Sequence, residues 1–157
     1  RKTKEMSEQI DHDENAVSIH VRRGDYLEPK YWKTTGCVCQ LPYYLNAIAE
    51  MNKRISQPSY YVFSDDIAWV KENLPLPKAF FIDWNKGAES WQDMMLMSRC
   101  RHHIICNSTF SWWGAWLNPR ENKTVIMPER WFRHCETPDI CPDKWIKVPI
   151  NQPDSIQ

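Results

Sequence analysis

Glycine is scarce in this chain, with four glycines among 157 residues. No segment has the G-x-G-x-x-G spacing of a dinucleotide-binding turn or the G-x-x-x-x-G-K-[ST] pattern of a P-loop. We therefore expect neither a nicotinamide cofactor nor P-loop chemistry.

An excess of charge of one sign and long apolar runs are also missing. The chain has 20 basic and 20 acidic residues, so no overall field attracts nucleic acid or an anionic membrane, and an anion site must be local. No apolar run approaches the length of a membrane span, and no apolar leader opens the chain. We expect no nucleic-acid partner and no transmembrane segment. Because the chain opens at Arg1 with a charged segment, we also expect it to be an excised part of a longer protein.

The six cysteines do not form a metal or redox motif. None has the spacing of a zinc ribbon or of a Cys-x-x-Cys pair. A chain of this length builds a core without disulfide bonds, so we expect reduced thiols. A disulfide between Cys135 and Cys141 is the alternative.

Short β-type runs alternate with amphipathic helical stretches along most of the chain. The pattern predicts strands at 16–21, 59–63, 79–82, 103–106 and 124–127. It predicts helices at 42–55, 67–73, 90–99 and 110–117, the third with Ser90 as its cap and Asp93 in the capping-box position. This alternation is typical of an α/β fold with a parallel sheet covered on both faces. We assign 1–15 to a charged lead-in, 16–150 to the domain and 151–157 to a tail.

The end of the first strand carries two adjacent arginines. Strand alternation predicts His20 and Arg22 on one face and Arg23 on the other, after which Gly24 allows the backbone to turn close to a ligand. Two guanidinium groups match phosphate oxygens and stay charged when desolvated, so they are a candidate pyrophosphate clamp. Pairing with surface acids is the alternative.

Polar residues also follow the other predicted strands. Ligands of an open parallel sheet bind beyond the carboxyl ends of its strands, where these residues collect. Asn107, Ser108 and Thr109 precede a helix, whose free N–H groups would complete an anion seat. Asp65 and Asp66 follow the second strand and would contact sugar hydroxyls or cap the next helix.

Three motifs in this order resemble the α-1,2-fucosyltransferases of glycosyltransferase family 11. They are His-Val-Arg-Arg-Gly-Asp-Tyr at 20–26, Phe-Ser-Asp-Asp at 63–66 with 69–74 behind it, and Asn-Ser-Thr-Phe-Ser-Trp-Trp-Gly-Ala-Trp-Leu at 107–117. The resemblance implies a GT-B-type enzyme whose carboxyl-terminal, Rossmann-like lobe holds GDP-fucose. This chain looks like that lobe, and the amino-terminal acceptor lobe would be largely missing.

The resemblance also implies roles for single residues. At least one of Arg22 and Arg23 would hold the β-phosphate, and His20 and Asp93 would contact guanine. A buried core histidine and a carboxylate facing the helix dipole are the alternatives for those two. The donor-binding set implied for GDP-fucose is completed by Gly24, Asp65, Asn107, Ser108, Thr109 and Ser111. Ser111 lies inside the predicted helix, so bonding to its own backbone is its alternative.

The reaction implied is inverting transfer of L-fucose from GDP-β-L-fucose to the 2-hydroxyl of a terminal galactose. Positive charge builds on the sugar and negative charge on the β-phosphate, so the arginines would replace a metal, and no metal or other cofactor is expected. Asp25 is the candidate general base, with a salt bridge to Arg22 or Arg23 as its alternative.

Two other functions remain open from the sequence. A metal-dependent GT-A enzyme would use Asp65 and Asp66. An adhesion module would display the Arg23-Gly24-Asp25 tripeptide on an exposed loop, although an apolar strand leads directly into it. The Asp11-His12-Asp13 triplet resembles a D-x-D metal motif, but it lies before the first strand, so we expect a solvated segment.

Three tryptophans lie in the last predicted helix, and two glycosylation sequons lie near it. Helical spacing favours a core role for Trp112, Trp113 and Trp116 over a sugar platform. Sequons at Asn107 and Asn122 include one at the predicted phosphate seat, where a glycan would block the ligand. This favours a bacterial, cytoplasmic location, with peripheral membrane association allowed, over the Golgi lumen.

Overall fold

A computed structural model describes residues 1–24, 28–31, 38–132 and 138–151. Within these residues the strands are β1 (Ala16–Val21), β2 (Ser59–Ser64), β3 (Ala79–Ile82), β4 (His102–Ile104), β5 (Val125–Pro128) and β6 (Ile146–Val148). The α-helices are α1 (Lys2–Asp11), α2 (Leu41–Arg54), α3 (Ile67–Asn73), α4 (Trp91–Arg99) and α5 (Thr109–Trp116).

The six strands form one sheet in the order β3-β2-β1-β4-β5-β6, and every pair is parallel. This order is that of a Rossmann-like doubly wound sheet, and it confirms the predicted fold class. The chain proceeds outward from β1 on one side and then returns to β4 on the other. The crevice between the carboxyl ends of β1 and β4 is therefore the place where such a fold binds ligands.

Both faces of the sheet are covered, as the alternating pattern predicts. Val17, Ile19 and Val21 of β1 pack into a core cluster with buried side chains of α2 and α3. Ala16 faces the opposite cluster, which includes Ile10 of α1 and residues of α4. Since β1 is covered on both sides, its side chains become accessible only at its carboxyl end.

The lead-in predicted for residues 1–15 contains a helix that was not predicted. Ile10 of α1 is fully buried, and Asp11 pairs with Arg99 of α4 through a hydrogen bond of 2.9 Å from Arg99 Nε. Asp13 accepts a hydrogen bond of 2.9 Å from the Tyr61 hydroxyl. Asp11 and Asp13 are therefore fixed by contacts with the domain, and only His12 of this segment is exposed as expected. Five charged residues among the first eight of the chain hide the amphipathic pattern of this helix.

The capping box predicted for α4 does not form. A single turn of 3-10 helix at Gly87–Glu89 runs directly into α4, so Ser90 has helical angles and its side chain makes no capping bond. The Asp93 side chain is then available for other contacts. The edge strand β6 was also missed, since three residues show too little alternation to be recognised.

The core role expected for the three tryptophans of α5 is wrong for two of them. Trp112 donates a hydrogen bond of 2.8 Å from Nε1 to the Ile140 carbonyl and stacks on Trp116. Trp113 and Trp116 are 47% and 49% exposed. Helical spacing places the three residues in one region of the helix surface, but their burial depends on which elements pack there.

Four cysteines within the described residues, Cys39, Cys100, Cys106 and Cys141, are free thiols. Cys37 and Cys135 lie outside the described residues, so the alternative Cys135–Cys141 disulfide stays open. Within the same residues, no helix has both the length and the apolar character needed to cross a membrane.

Candidate functional site

A cleft of about 480 Å³ opens at the carboxyl ends of β1, β2 and β3. Its walls come from the sheet, from α4 and from the first turn of α5. The polar and charged residues of the wall include His20, Asp65, Asn85, Lys86 and Asp93, and Phe110 adds an aromatic ring. The structure therefore brings three of the predicted site residues, His20, Asp65 and Asp93, into one cavity.

His20 lies in the cleft wall at the penultimate position of β1. Its Nδ1 is 3.3 Å from the Cys106 sulfur, and its ring is tilted against that of Phe110 at 5.9 Å between centroids. Burial and the positive charge of Arg22 lower the pKa of His20 to about 3. The imidazole is therefore neutral at physiological pH and has one donor and one acceptor nitrogen.

Asp93 lies in the first turn of α4 and faces the cleft. Burial raises the pKa of Asp93 to about 6, while a hydrogen bond of 2.8 Å from Asn85 Nδ2 to Asp93 Oδ1 acts in the opposite direction. At pH 7 the ionised form predominates by about ten to one. The cleft thus contains a partly desolvated carboxylate that can accept hydrogen bonds from a ligand.

Asp65 shapes the loop after β1. Its two carboxylate oxygens accept hydrogen bonds from the backbone N–H groups of Arg23 at 2.9 Å and Gly24 at 2.8 Å. A Cβ atom on Gly24 would lie 2.6 Å from Asp65 Oδ2, so this approach requires glycine. Asp65 lines the cleft and also fixes the turn that carries the two arginines.

Arg23 packs against α3. Its guanidinium lies 3.9 Å from the ring centroid of Trp69, and Arg23 Nε is 3.5 Å from Asp66 Oδ2. The charge of Arg22 helps to lower the pKa of His20, which lines the cleft, and opposes the rise in the pKa of Cys106. Of the two candidate clamps, Arg22 is therefore the one whose charge acts on a residue of the cleft wall.

The segment 107–111 forms the junction between β4 and α5. Asn107 is buried and donates from Nδ2 to the Trp131 carbonyl at 3.1 Å, so it joins two loops. Ser108 precedes α5 and is 3% exposed, whereas Thr109 is exposed at the start of the helix. The first turn of α5 borders the cleft through Phe110.

Ser111 is buried inside α5. It is 2% exposed, and its Oγ donates to the Ser108 carbonyl at 3.3 Å. The alternative named for it, a bond to its own backbone, is thus present, and contact with the phosphates stays a prediction. A serine inside a helix commonly bonds to a carbonyl of the preceding turn.

The acidic residues Asp66 and Asp25 are not among the described residues of the cleft wall. Asp66 caps α3 by accepting a hydrogen bond of 3.1 Å from the Trp69 backbone N–H. Asp25, the candidate general base, lies outside the described residues. The metal site proposed for a GT-A enzyme would have to use carboxylates that already bind Arg23, Gly24 and the N-terminus of α3.

Asn85, Lys86 and Phe110 are among the cleft residues that were not predicted as site residues. Asn85 and Lys86 follow β3 after Asp83, and the rule that polar residues collect beyond strand ends would have included them. Phe110 was assigned to a helix without a role. The contact between Asn85 and Asp93 has no signal in the sequence, because it depends on the path of the loop between them.

A wider hollow of about 920 Å³ lies at the amino-terminal end of the sheet and is lined by Glu5, Glu8, Asp13 and Glu14 among others. Lys78 also lines this hollow, and the smaller cleft has carboxylates of its own, so charge does not decide between them. The smaller cleft is the better candidate for a ligand site because it lies at the carboxyl ends of the strands, where parallel sheets bind their ligands.

Comparison with known proteins agrees with the motif resemblance. The model of the family "Glycosyl transferase family 11" matches residues 2–148. An Alpha-1,2-colitosyltransferase of Escherichia coli is 38% identical over 138 residues, covering 85% of this chain and 48% of that protein. The O-antigen biosynthesis glycosyltransferase WbnK of Escherichia coli is 37% identical, covering 85% of this chain and 45% of that protein.

An animal relative matches a shorter stretch. The Galactoside alpha-(1,2)-fucosyltransferase 1 of Saimiri boliviensis boliviensis is 35% identical over 105 residues, 64% of this chain and 28% of that protein. The chain spans about half the length of the bacterial relatives. Because the family model covers nearly all of the chain, and the match includes all six strands, the chain belongs to glycosyl transferase family 11.

Proposed function

We propose that this domain binds GDP-fucose and is the donor-binding lobe of a galactoside α-1,2-fucosyltransferase of the GT-B type. The observation that carries the proposal is the cleft in which a neutral His20 and the Asp93 carboxylate lie, at the carboxyl ends of β1, β2 and β3 of a Rossmann-like sheet, with the first turn of α5 in its wall. The family membership and the names of the relatives support glycosyl transfer as the reaction class.

The polarity of the cleft supports a guanine base at Asp93. Guanine presents an N1–H and an exocyclic amine side by side, and both are donors. The Asp93 carboxylate accepts from both, whereas adenine has an acceptor at N1 and pairs poorly with it. The neutral His20 ring supplies one further donor or acceptor, and the Phe110 ring next to it supplies an apolar wall.

The phosphate end of the donor is assigned to Arg22 and the start of α5. Arg22 carries a charge that stays in place when the donor excludes water. The free N–H groups at the start of α5, with Ser108 and Thr109, add donors for phosphate oxygens. Arg23 is already bound by Asp66 and Trp69, so we assign it the role of anchoring the loop.

The reaction is inverting in this proposal. The 2-hydroxyl of the acceptor attacks C1 of the fucose, the bond from C1 to the β-phosphate oxygen breaks, and GDP leaves with the electron pair. Arg22 stabilises the negative charge that develops on the β-phosphate, so no divalent cation is required. The general base accepts the hydroxyl proton, and Asp25 remains the candidate on sequence grounds.

The acceptor is proposed to be a galactose-terminated oligosaccharide held mainly by a second lobe. The relatives are about twice as long as this chain, which leaves room for such a lobe. We therefore expect this chain to bind the donor weakly and to transfer little sugar alone.

A GDP-linked colitosyl donor is a second candidate. The bacterial relative at 38% identity is named as an α-1,2-colitosyltransferase. Colitose is L-fucose without its 3-hydroxyl, so both donors carry the same GDP. The two donors would differ only in contacts at the sugar, and a comparison of their affinities would distinguish them.

Calorimetric titration with GDP, ADP and UDP in the presence of EDTA tests the proposal. We expect GDP to bind most tightly, Arg22→Ala to weaken GDP binding about 10- to 100-fold, and Asp93→Ala to abolish the preference for GDP over ADP. Arg54→Ala is the matched control, since it removes a guanidinium from the exposed side of α2. Equal affinity for the three nucleotides, or a requirement for Mn²⁺, would contradict the donor assignment.

A further inference from the structure

A continuous chain of hydrogen bonds links the amino-terminal helix to Asp93. Trp84 Nε1 donates to Thr3 Oγ1 at 3.0 Å, Thr3 Oγ1 donates to Asn85 Oδ1 at 3.1 Å, and Asn85 Nδ2 donates to Asp93 Oδ1 at 2.8 Å. Thr3 is 81 and 82 residues from its two partners in the sequence. The contact therefore exists only because α1 packs beside the loop between β3 and α4.

The chemistry of the donors fixes the direction of this chain. An indole N–H only donates, so the Thr3 hydroxyl accepts from Trp84 and has its single hydrogen left for Asn85. That hydrogen requires the carbonyl side of the Asn85 amide, which turns the NH₂ side toward Asp93. With the amide reversed, two oxygens would face each other at Asp93, which is unfavourable for an ionised carboxylate.

The helix that supplies Thr3 is held at both ends. Lys2 Nζ lies 5.7 Å from the ring centroid of Trp84, next to Thr3. At the other end, Ile10 is fully buried and Asp11 pairs with Arg99 of α4. Since α4 also carries Asp93, α1 and the carboxylate share one rigid support.

We propose that Asn85 is a positioning residue for Asp93, and that Thr3 and Trp84 set the orientation of the Asn85 amide. On this proposal, which rests on the proposed role of Asp93 in binding a guanine base, Asn85 keeps the carboxylate ionised and aimed at the ligand despite its burial. The helix α1 is then part of the base-binding site, although none of its residues touches the base.

The hydrogen bonds from Trp84 through Thr3 and Asn85 to Asp93 are called the relay below. NMR titration of the Asp93 carboxyl carbon in the ligand-free chain tests this relay directly. We expect Thr3→Val, which keeps the shape of the side chain but removes the hydroxyl, to move the Asp93 midpoint to higher pH than in the wild-type chain. Thr3→Ser restores the hydroxyl and should restore the midpoint. Asn85→Leu removes the amide that donates to Asp93. If Asn85→Leu does not fold, the comparison of Thr3→Val with Thr3→Ser still tests the relay.

Gln9→Met is the matched control. It removes a side-chain hydrogen bond of 3.3 Å from the same helix to Tyr61, and both residues line the hollow at the amino-terminal end of the sheet rather than the cleft that contains Asp93. We expect it to leave the Asp93 midpoint unchanged. A Thr3→Val midpoint equal to those of the wild-type and Gln9→Met chains, or a Thr3→Ser midpoint equal to that of Thr3→Val, would overturn the relay.

Nucleotide binding separates the relay from the proposed function. At pH 7 we expect Thr3→Val to weaken GDP binding about tenfold and to change ADP binding much less, because guanine offers two adjacent donors to the carboxylate whereas adenine offers one donor beside an acceptor. A shifted midpoint in a chain that binds GDP and ADP equally would support the relay and contradict the guanine site. An unshifted Asp93 midpoint in a chain that prefers GDP would contradict the relay and support the guanine site.

Discussion

At the scale of single residues, the Asp65 carboxylate has two roles, one in the cleft wall and one in the turn after β1. Its carboxylate lines the cleft and also accepts both backbone N–H groups of the turn after β1. The second role depends on Gly24, because any Cβ there would approach Asp65 Oδ2 to 2.6 Å. The position of the arginine loop therefore rests on a carboxylate 41 residues further along the chain.

We predict that Gly24→Ala destabilises the domain by about 1 to 3 kcal/mol. The added methyl group displaces the Asp65 carboxylate and breaks its two charge-assisted hydrogen bonds. Chemical denaturation followed by tryptophan fluorescence measures the loss.

The double variant Gly24→Ala with Asp65→Ala identifies the cause of that loss. With the carboxylate already removed, Gly24→Ala should cost much less than it does in the wild-type chain. Equal costs in the two backgrounds would show that the clash with Asp65 is not responsible.

At the scale of elements, Arg23 connects the β1 loop to α3. Its side chain is 16% exposed, and it lies over the Trp69 ring while pairing with the Asp66 carboxylate that also caps the helix. A guanidinium stacked on an indole and paired with a carboxylate stabilises the contact between the two elements. This arrangement fits a structural role for Arg23.

We predict that Arg23→Met lowers the free energy of unfolding by about 1 kcal/mol and changes GDP affinity less than twofold. Methionine keeps the apolar contact with Trp69 but removes the charge and the stacked plane. Thermal unfolding and calorimetry on the same preparation measure both quantities.

Arg54→Met is the comparison for this prediction, since Arg54 pairs with Glu50 on the exposed side of α2 and should contribute less than about 0.5 kcal/mol. A large loss of GDP affinity in Arg23→Met with unchanged stability would instead make Arg23 the phosphate clamp.

At the scale of the whole molecule, two neutral histidines couple folding to pH. Burial lowers the pKa of His103 to about 3, and the ring is held by Ser18 at 2.8 Å and Asn118 at 2.9 Å. His20 has a similarly lowered pKa. In the unfolded chain both rings bind a proton below pH of about 6.5, whereas in the folded protein they do so only near pH 3.

We therefore predict that stability falls as the pH decreases from about 6.5 toward 3. Each histidine contributes at most about 1.4 kcal/mol per pH unit, since protons bind preferentially to the unfolded chain in this range. Asp93 acts in the opposite direction between pH of about 4 and 6, because its raised pKa lets the folded state bind the proton first. Denaturation curves recorded at a series of pH values measure the net slope.

His20→Gln, which stays neutral at every pH, should give a shallower slope than the wild-type chain. A wild-type stability that is flat or rises on acidification from pH 6.5 to 4 would contradict the prediction.

Local patterns predicted the sheet well. The bounds of β1 and β3 and those of α3 are the same in sequence and structure, because in each case an apolar run is bounded by charged residues or prolines. The helix α1 was missed because its buried face is narrow and its charges dominate its composition. The exposure of Trp113 and Trp116 was missed because periodicity shows that residues share a face, not what covers that face.

The sequence by itself determined the order of β1 to β5 and of α2 to α5, the alternation expected at Arg22 and Arg23, and the collection of polar residues at the carboxyl ends of the strands. These features follow from periods of two and 3.6 residues and from the geometry of parallel strands. Only the tertiary structure decided that Arg23 is bound by α3, that Ser111 is turned inward, and that Thr3 reaches Asp93 through Asn85. Those outcomes depend on contacts between residues far apart in the chain, and no local pattern records which distant partner a side chain meets.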